Sequence, residues 1–129
     1  MKFLLSSIFA VTFAVLAVFG AAPSFADGTG QFTGASNHIT TGSVTVVKNA
    51  DGTATVTLSA DFSLDGAPDP RVGFGKDGAY VNATDLGELK MLNGAQTYTV
   101  PASVNVDDFN ELYIWCLKFS VPLGVASLS

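Results

Sequence analysis

From Thr53 to Ser59 the chain alternates without interruption: Thr53, Thr55, Thr57 and Ser59 fall on one side, Ala54, Val56 and Leu58 on the other. A period of two with one hydroxylated and one apolar face is the pattern of a half-buried antiparallel strand. No amphipathic helical period of any length appears after residue 26. Residues 41–48 read as the preceding strand, joined through Asn49-Ala50-Asp51-Gly52, a four-residue hairpin loop whose glycine can take a positive φ. Further strands are expected at about 71–75, 95–100, 110–121 and 123–128. Pro101 ends the one at 95–100, because proline cannot donate to a ladder. Turn chemistry fills 61–70 and 76–78, while 82–93 has no clear period and reads as loop or one short turn. About seven or eight short strands at this spacing predict one all-β domain, an antiparallel β-sandwich.

The start of the chain has a different character. Lys2, an apolar run from Phe3 to Ala22 and the small-x-small site Ser24-Phe25-Ala26 read as a secretory signal, residues 1–26, cleaved after Ala26. Cleavage would leave a domain of 103 residues, 27–129, with five Lys and Arg against eleven Asp and Glu. That acid excess argues against a nucleic-acid partner, which is held by clustered cations. Beyond the leader no apolar stretch approaches the ~20 residues of a membrane span, so no membrane anchor is expected after cleavage. The expected location is extracytoplasmic, in a periplasm or outside the cell.

Export makes the cysteine count informative. Cys116 stands alone, so no internal disulfide forms and the core must hold the domain together. His38 is the only histidine. Zinc sites built from paired Cys and His, a blue-copper His₂Cys set and multi-histidine centres are therefore excluded within one chain.

Cys116 lies in the most apolar run of the domain, Leu112-Tyr113-Ile114-Trp115-Cys116-Leu117-Lys118-Phe119. Alternation predicts Tyr113, Trp115, Leu117 and Phe119 on the principal core face, with Leu112, Ile114, Cys116 and Lys118 on the other. In that register Lys118 is the cysteine's same-face neighbour, and a nearby ammonium favours the nucleophilic thiolate. The competing account is a small buried side chain under a loop, and on spacing alone it leads. His38, in the polar connection 35–42, could ligate a metal or haem, although such a ring more often only fixes a loop. Asp61, Asp65 and Asp69 place three carboxylates within nine residues, a set able to bind calcium through oxygen. Their spacing is not that of an EF-hand, and Asp-Gly and Pro-Asp are also ordinary turn pairs, the leading account of this segment. Asn82-Ala83-Thr84 is a glycosylation sequon if the source is eukaryotic. No Gly-x-Ser-x-Gly elbow supports a serine hydrolase.

Several of these pieces occur together in a known order. Phe32, His38 and Gly42 open the pattern; Gly66-Ala67-Pro68-Asp69 leads into a strand at Val72, followed by Asp85-Leu86-Gly87-Glu88-Leu89-Lys90. Gly94, Gln96 and Tyr98 precede Val100-Pro101, and Ile114-Trp115-Cys116, Phe119, Val121, Gly124, Ala126 and Leu128 close it. Across nearly all of 30–128 the chain resembles the DM-thirteen domain family, extracellular modules with a proposed electron-transfer role that often accompany DOMON domains. The resemblance implies a redox function centred on Cys116, as a bare thiol or as ligand to a prosthetic group such as haem. It reverses the order of the two accounts of that cysteine. His38 matches the family's early histidine, so the resemblance admits a Cys-plus-His site, with Lys118 and Trp115 in supporting positions. A redox partner would be a separate molecule. The alternative is an extracellular binding or adhesion module with a purely structural cysteine and another protein as its partner.

Overall fold

The computed structural model describes residues 26–129. The expected leader, 1–26, lies outside these apart from Ala26. Residues 49–52 make the expected turn: the Asn49 amide donates to the Thr53 carbonyl at 2.8 Å, and Gly52 has φ +89°. It joins strands β3 (Ser43–Lys48) and β4 (Ala54–Leu58), registered with Val46 opposite Val56 and Thr45 opposite Thr57. β8 (Gln96–Val100) extends this pair antiparallel to β4 and forms one edge of the sheet. Val44, Val46, Ala54, Val56, Leu58, Tyr98 and Val100 point to the core, and the threonines between them face out.

The second half of the sheet is built from β6 (Pro70–Lys76), β7 (Ala79–Tyr80), β9 (Glu111–Cys116) and β10 (Val121–Ser127). β1 (Ala26–Gly34) joins the halves: Thr29 to Gln31 pair with β3, and Phe32 to Gly34 pair with β10. The result is one curled antiparallel sheet of eight strands, ordered β7-β6-β9-β10-β1-β3-β4-β8, closing sandwich-like on a common core. Two short strands, β2 (Thr40–Thr41) and β5 (Ser63–Leu64), pair apart from it. Residues 82–93 hold only a 3₁₀ turn, Asn82–Thr84, and isolated bridges; a second 3₁₀ turn covers Val106–Asp108.

β1 is a strand that composition hides. Its Ala-Asp-Gly-Thr-Gly-Gln-Phe-Thr-Gly sequence reads as loop, yet it occupies the middle of the sheet. The reason is close approach: a Cβ on Gly30 would collide with the Ser127 carbonyl oxygen of β10.

The expected faces of β9 are reversed. Leu112, Ile114 and Cys116 are fully buried in the core, whereas Leu117 and Phe119 are 39% and 61% exposed. The strand ends at Cys116, so the period of two does not reach the turn at 117–120, where Ser120 takes φ +52°. Trp115 faces outward and stacks on Tyr80 at 4.4 Å between ring centroids. Apolar character on both faces of this strand removed the contrast on which a face assignment depends.

The corrected faces predict opposite outcomes for two truncations. Ile114→Ala should cost roughly 2–5 kcal/mol in urea unfolding, as a large-to-small core change. Phe119→Ala should stay within about 0.5 kcal/mol; the reverse order would restore the original face assignment.

Candidate functional site

Cys116 is the last residue of β9, opposite Pro70 of β6 and Val121 of β10. It is 1% exposed, and its thiol donates to the Pro68 carbonyl at 3.1 Å. That carbonyl belongs to the segment 65–69, which is tied down at both ends. At one end the Asp65 carboxylate accepts from the Ile39 amide at 3.1 Å and from His38 Nδ1 at 2.9 Å, and the Asp65 amide donates to the Ile39 carbonyl. At the other, the Leu117 amide donates to the Asp69 carbonyl at 3.1 Å, and the Asp69 carboxylate lies 3.2 Å from Arg71 Nε. The Ile39 amide, and then the His38 ring, hold the Asp65 carboxyl below the usual carboxylate range.

Three segments far apart in the chain thus meet at one end of the sheet: His38, Gly66-Ala67-Pro68-Asp69 and Trp115-Cys116. They do not meet as a ligand pair. The His38 ring is committed to Asp65, and the sulfur is covered by Pro68. Lys118 lies in the 117–120 turn beyond the strand, with its ammonium 5.6 Å from the Phe119 ring centroid. The three aspartates take separate partners: Asp61 accepts from Ser59, Asp65 from His38 and Ile39, and Asp69 pairs with Arg71. Among the described residues no three His, Cys, Asp or Glu side chains gather into a metal-binding cluster. In the sequon Asn82 is exposed, and Thr84 is buried, accepting the Phe74 amide at 2.8 Å and donating to the Val81 carbonyl.

On the outer face of the same strands lies a group that alternation did not single out. Trp115 stacks on Tyr80 with 13° between planes, and Tyr113 meets Tyr80 edge-on at 5.6 Å and Trp115 at 6.3 Å. Arg71 pairs with Asp69 and, at 3.9 Å, with Asp85 beside them. Arg71 Nε and the Tyr80 hydroxyl are buried without hydrogen-bond partners. Burial, with the Asp85 charge adding to it against Arg71, pushes the Tyr80 phenol up to about 12. The available signal was a Gly-x-Gly at 73–75 and a Tyr-x-Trp at 113–115, paired with Gly73 opposite Tyr113 and Arg71 opposite Trp115; Tyr80, on a two-residue strand, left none.

Comparison with known proteins fixes the context of this geometry. The sequence model of a family described as "Electron transfer DM13" matches residues 31–128. The chain belongs to the DM13 family. The match encloses His38, the 66–69 segment and Trp115-Cys116, and brings with it the family's general electron-transfer role. No curated protein and no solved structure matches this DM13 domain. No helix among its described residues is long and apolar enough to cross a membrane.

The raised Tyr80 phenol carries a pH signature. Its folded value, about 12, lies above the unfolded 10, so its contribution to stability is complete below pH 10 and is lost as pH rises toward 12. Tyr80→Phe should therefore flatten the fall in urea midpoint over that range; an unchanged slope would mean that this phenol is not shielded as described.

Proposed function

We propose that this DM13 domain is an exported electron-transfer module whose working atom is the Cys116 sulfur, held as a thiol under the 65–69 segment until that segment opens. The observation that carries the reading is the Pro68 carbonyl on Cys116 Sγ, in a segment held at its far end by Asp65. A sulfur buried against a backbone carbonyl is out of a partner's reach, and exchange needs an accessible thiolate. Opening of the segment would free the sulfur for ionisation and attack. The step is thiol–disulfide exchange. The Cys116 thiolate attacks one sulfur of a partner disulfide, a mixed disulfide forms, and the partner's other sulfur leaves as thiolate. Because Cys116 is the only cysteine, a thiol from a further molecule must resolve the mixed disulfide: it attacks the partner's sulfur, departs as a disulfide with it and releases Cys116 as thiolate, leaving the partner's other sulfur reduced.

The residues as arranged do not fit a haem. Cys116 packs among core side chains, its sulfur faces a backbone carbonyl, and His38 is directed to Asp65. Among the described residues, the cavity at Gly30 and Val44, about 510 Å³, and that at Ala54 and Ala102, about 150 Å³, are lined by other residues. The second reading, a binding or adhesion module with a structural cysteine, is favoured by the near-complete burial of that side chain.

Equilibration in a glutathione redox buffer, read by intact mass, separates the two readings. Folded protein should acquire one glutathione at Cys116, and Cys116→Ser should acquire none while remaining folded. Protein that takes up glutathione only after unfolding would favour the binding module.

A further inference from the structure

The outer face of β6 is cleared for aromatic rings. Arg71, Gly73 and Gly75 lie on that face, the two glycines buried beneath the rings, and alternate with Val72 and Phe74 of the core. A Cβ on Gly73 would stand 2.7 Å from the Tyr80 hydroxyl, and one on Gly75 would strike the Tyr113 ring. Glycine weakens a strand interior, so two of them in one strand mark a place where something must approach the backbone closely. What approaches is the trio of Trp115, Tyr80 and Tyr113, the side-chain types most readily oxidised by one electron apart from cysteine. Their centroids lie 4.4 to 6.3 Å apart, and Trp115 is half-buried, with part of its ring at the surface.

The two tyrosines differ in one decisive respect. A phenol gives up an electron far more easily when its proton leaves at the same time, and that requires an acceptor. The Tyr80 hydroxyl has none. The Tyr113 hydroxyl donates to Glu111 Oε1 at 3.4 Å, and the Gly78 amide holds the same oxygen at 2.7 Å.

We propose that Trp115, Tyr80 and Tyr113 form a second redox site, in which an electron leaves through Trp115 and the vacancy comes to rest on Tyr113. An outer-sphere one-electron oxidant takes one electron from the indole and is reduced by one, leaving an indole radical cation. An electron from Tyr113 refills the indole, directly or across the Tyr80 ring. The Tyr113 phenol proton passes to the Glu111 carboxylate. The products are a neutral tyrosyl radical at 113 and a protonated Glu111, so charge and atoms balance. Tyr80, with no proton acceptor, bridges the two rings and does not hold the vacancy. This site does not depend on the Cys116 reading.

The test is photochemical oxidation of the full chain with tris(bipyridine)ruthenium(III), followed by freeze-quench electron paramagnetic resonance. The wild type should give a tyrosyl signal that persists in Cys116→Ser and in Tyr80→Phe. The signal should be lost in Tyr113→Phe, which retains the ring, and an indole radical should appear in its place. Glu111→Gln should shift the radical from tyrosine to tryptophan without moving the urea midpoint, a change that a purely structural role would not produce. A tyrosyl signal that survives Tyr113→Phe, placing it on Tyr80 or Tyr98, would overturn the proposal. So would full tyrosyl yield in Trp115→Phe. Loss of glutathione exchange with the tyrosyl intact would fail the thiol reading alone.

Discussion

Consecutive side chains of a β-strand cannot share a face, and in β9 this rule separates Trp115 from Cys116. Everything near the candidate site follows from that separation. Cys116, with Leu112 and Ile114, joins the core and meets the 65–69 segment at the strand end; Trp115, with Tyr113, lies outside on the glycine floor of β6. β6 obeys the same period in register, with Gly73 opposite Tyr113 and Arg71 opposite Trp115. A slip of one residue would place the indole in the core and the sulfur at the surface.

The DM13 domain therefore presents two oxidisable groups on opposite sides of one strand, each in a different environment. The sulfur is roofed by Pro68, and the roof is held by hydrogen bonds to Ile39, His38 and Leu117. In the aromatic trio Tyr113 is buried and Tyr80 and Trp115 are half-buried, and the Tyr80 hydroxyl is buried without a hydrogen-bond partner. Buried orphans of this kind call for an explanation in a folded protein. At Tyr80 the explanation offered is a ring placed for contact with Trp115 at the cost of a hydrogen bond.

Much of the architecture could be read from the chain because it rests on local alternation. The β3–β4 hairpin, β8 with its stop at Pro101, and the strandless stretch at 82–93 lie about where period and turn chemistry placed them. β1 was not legible, since its glycines answer to the backbone of β10, which is distant in sequence. The faces of β9 were misread because Tyr113 and Trp115 are covered by Tyr80, a cover that no local pattern announces. Of the site, the order of the DM13 segments was visible. Their convergence through Asp65 and Pro68, instead of through a His38–Cys116 pair, required the tertiary structure.

The proposed role of the sulfur requires the 65–69 segment over it to open while the rest of the domain stays folded. The rate at which a small alkylating reagent labels Cys116 as urea is raised tests it most directly. A local opening exposes little surface, so the rate should be nearly independent of urea at low concentrations, and Asp65→Asn should raise that plateau. A rate that climbs from zero urea with the full slope of global unfolding would contradict the account, and would make Cys116 simply part of the core.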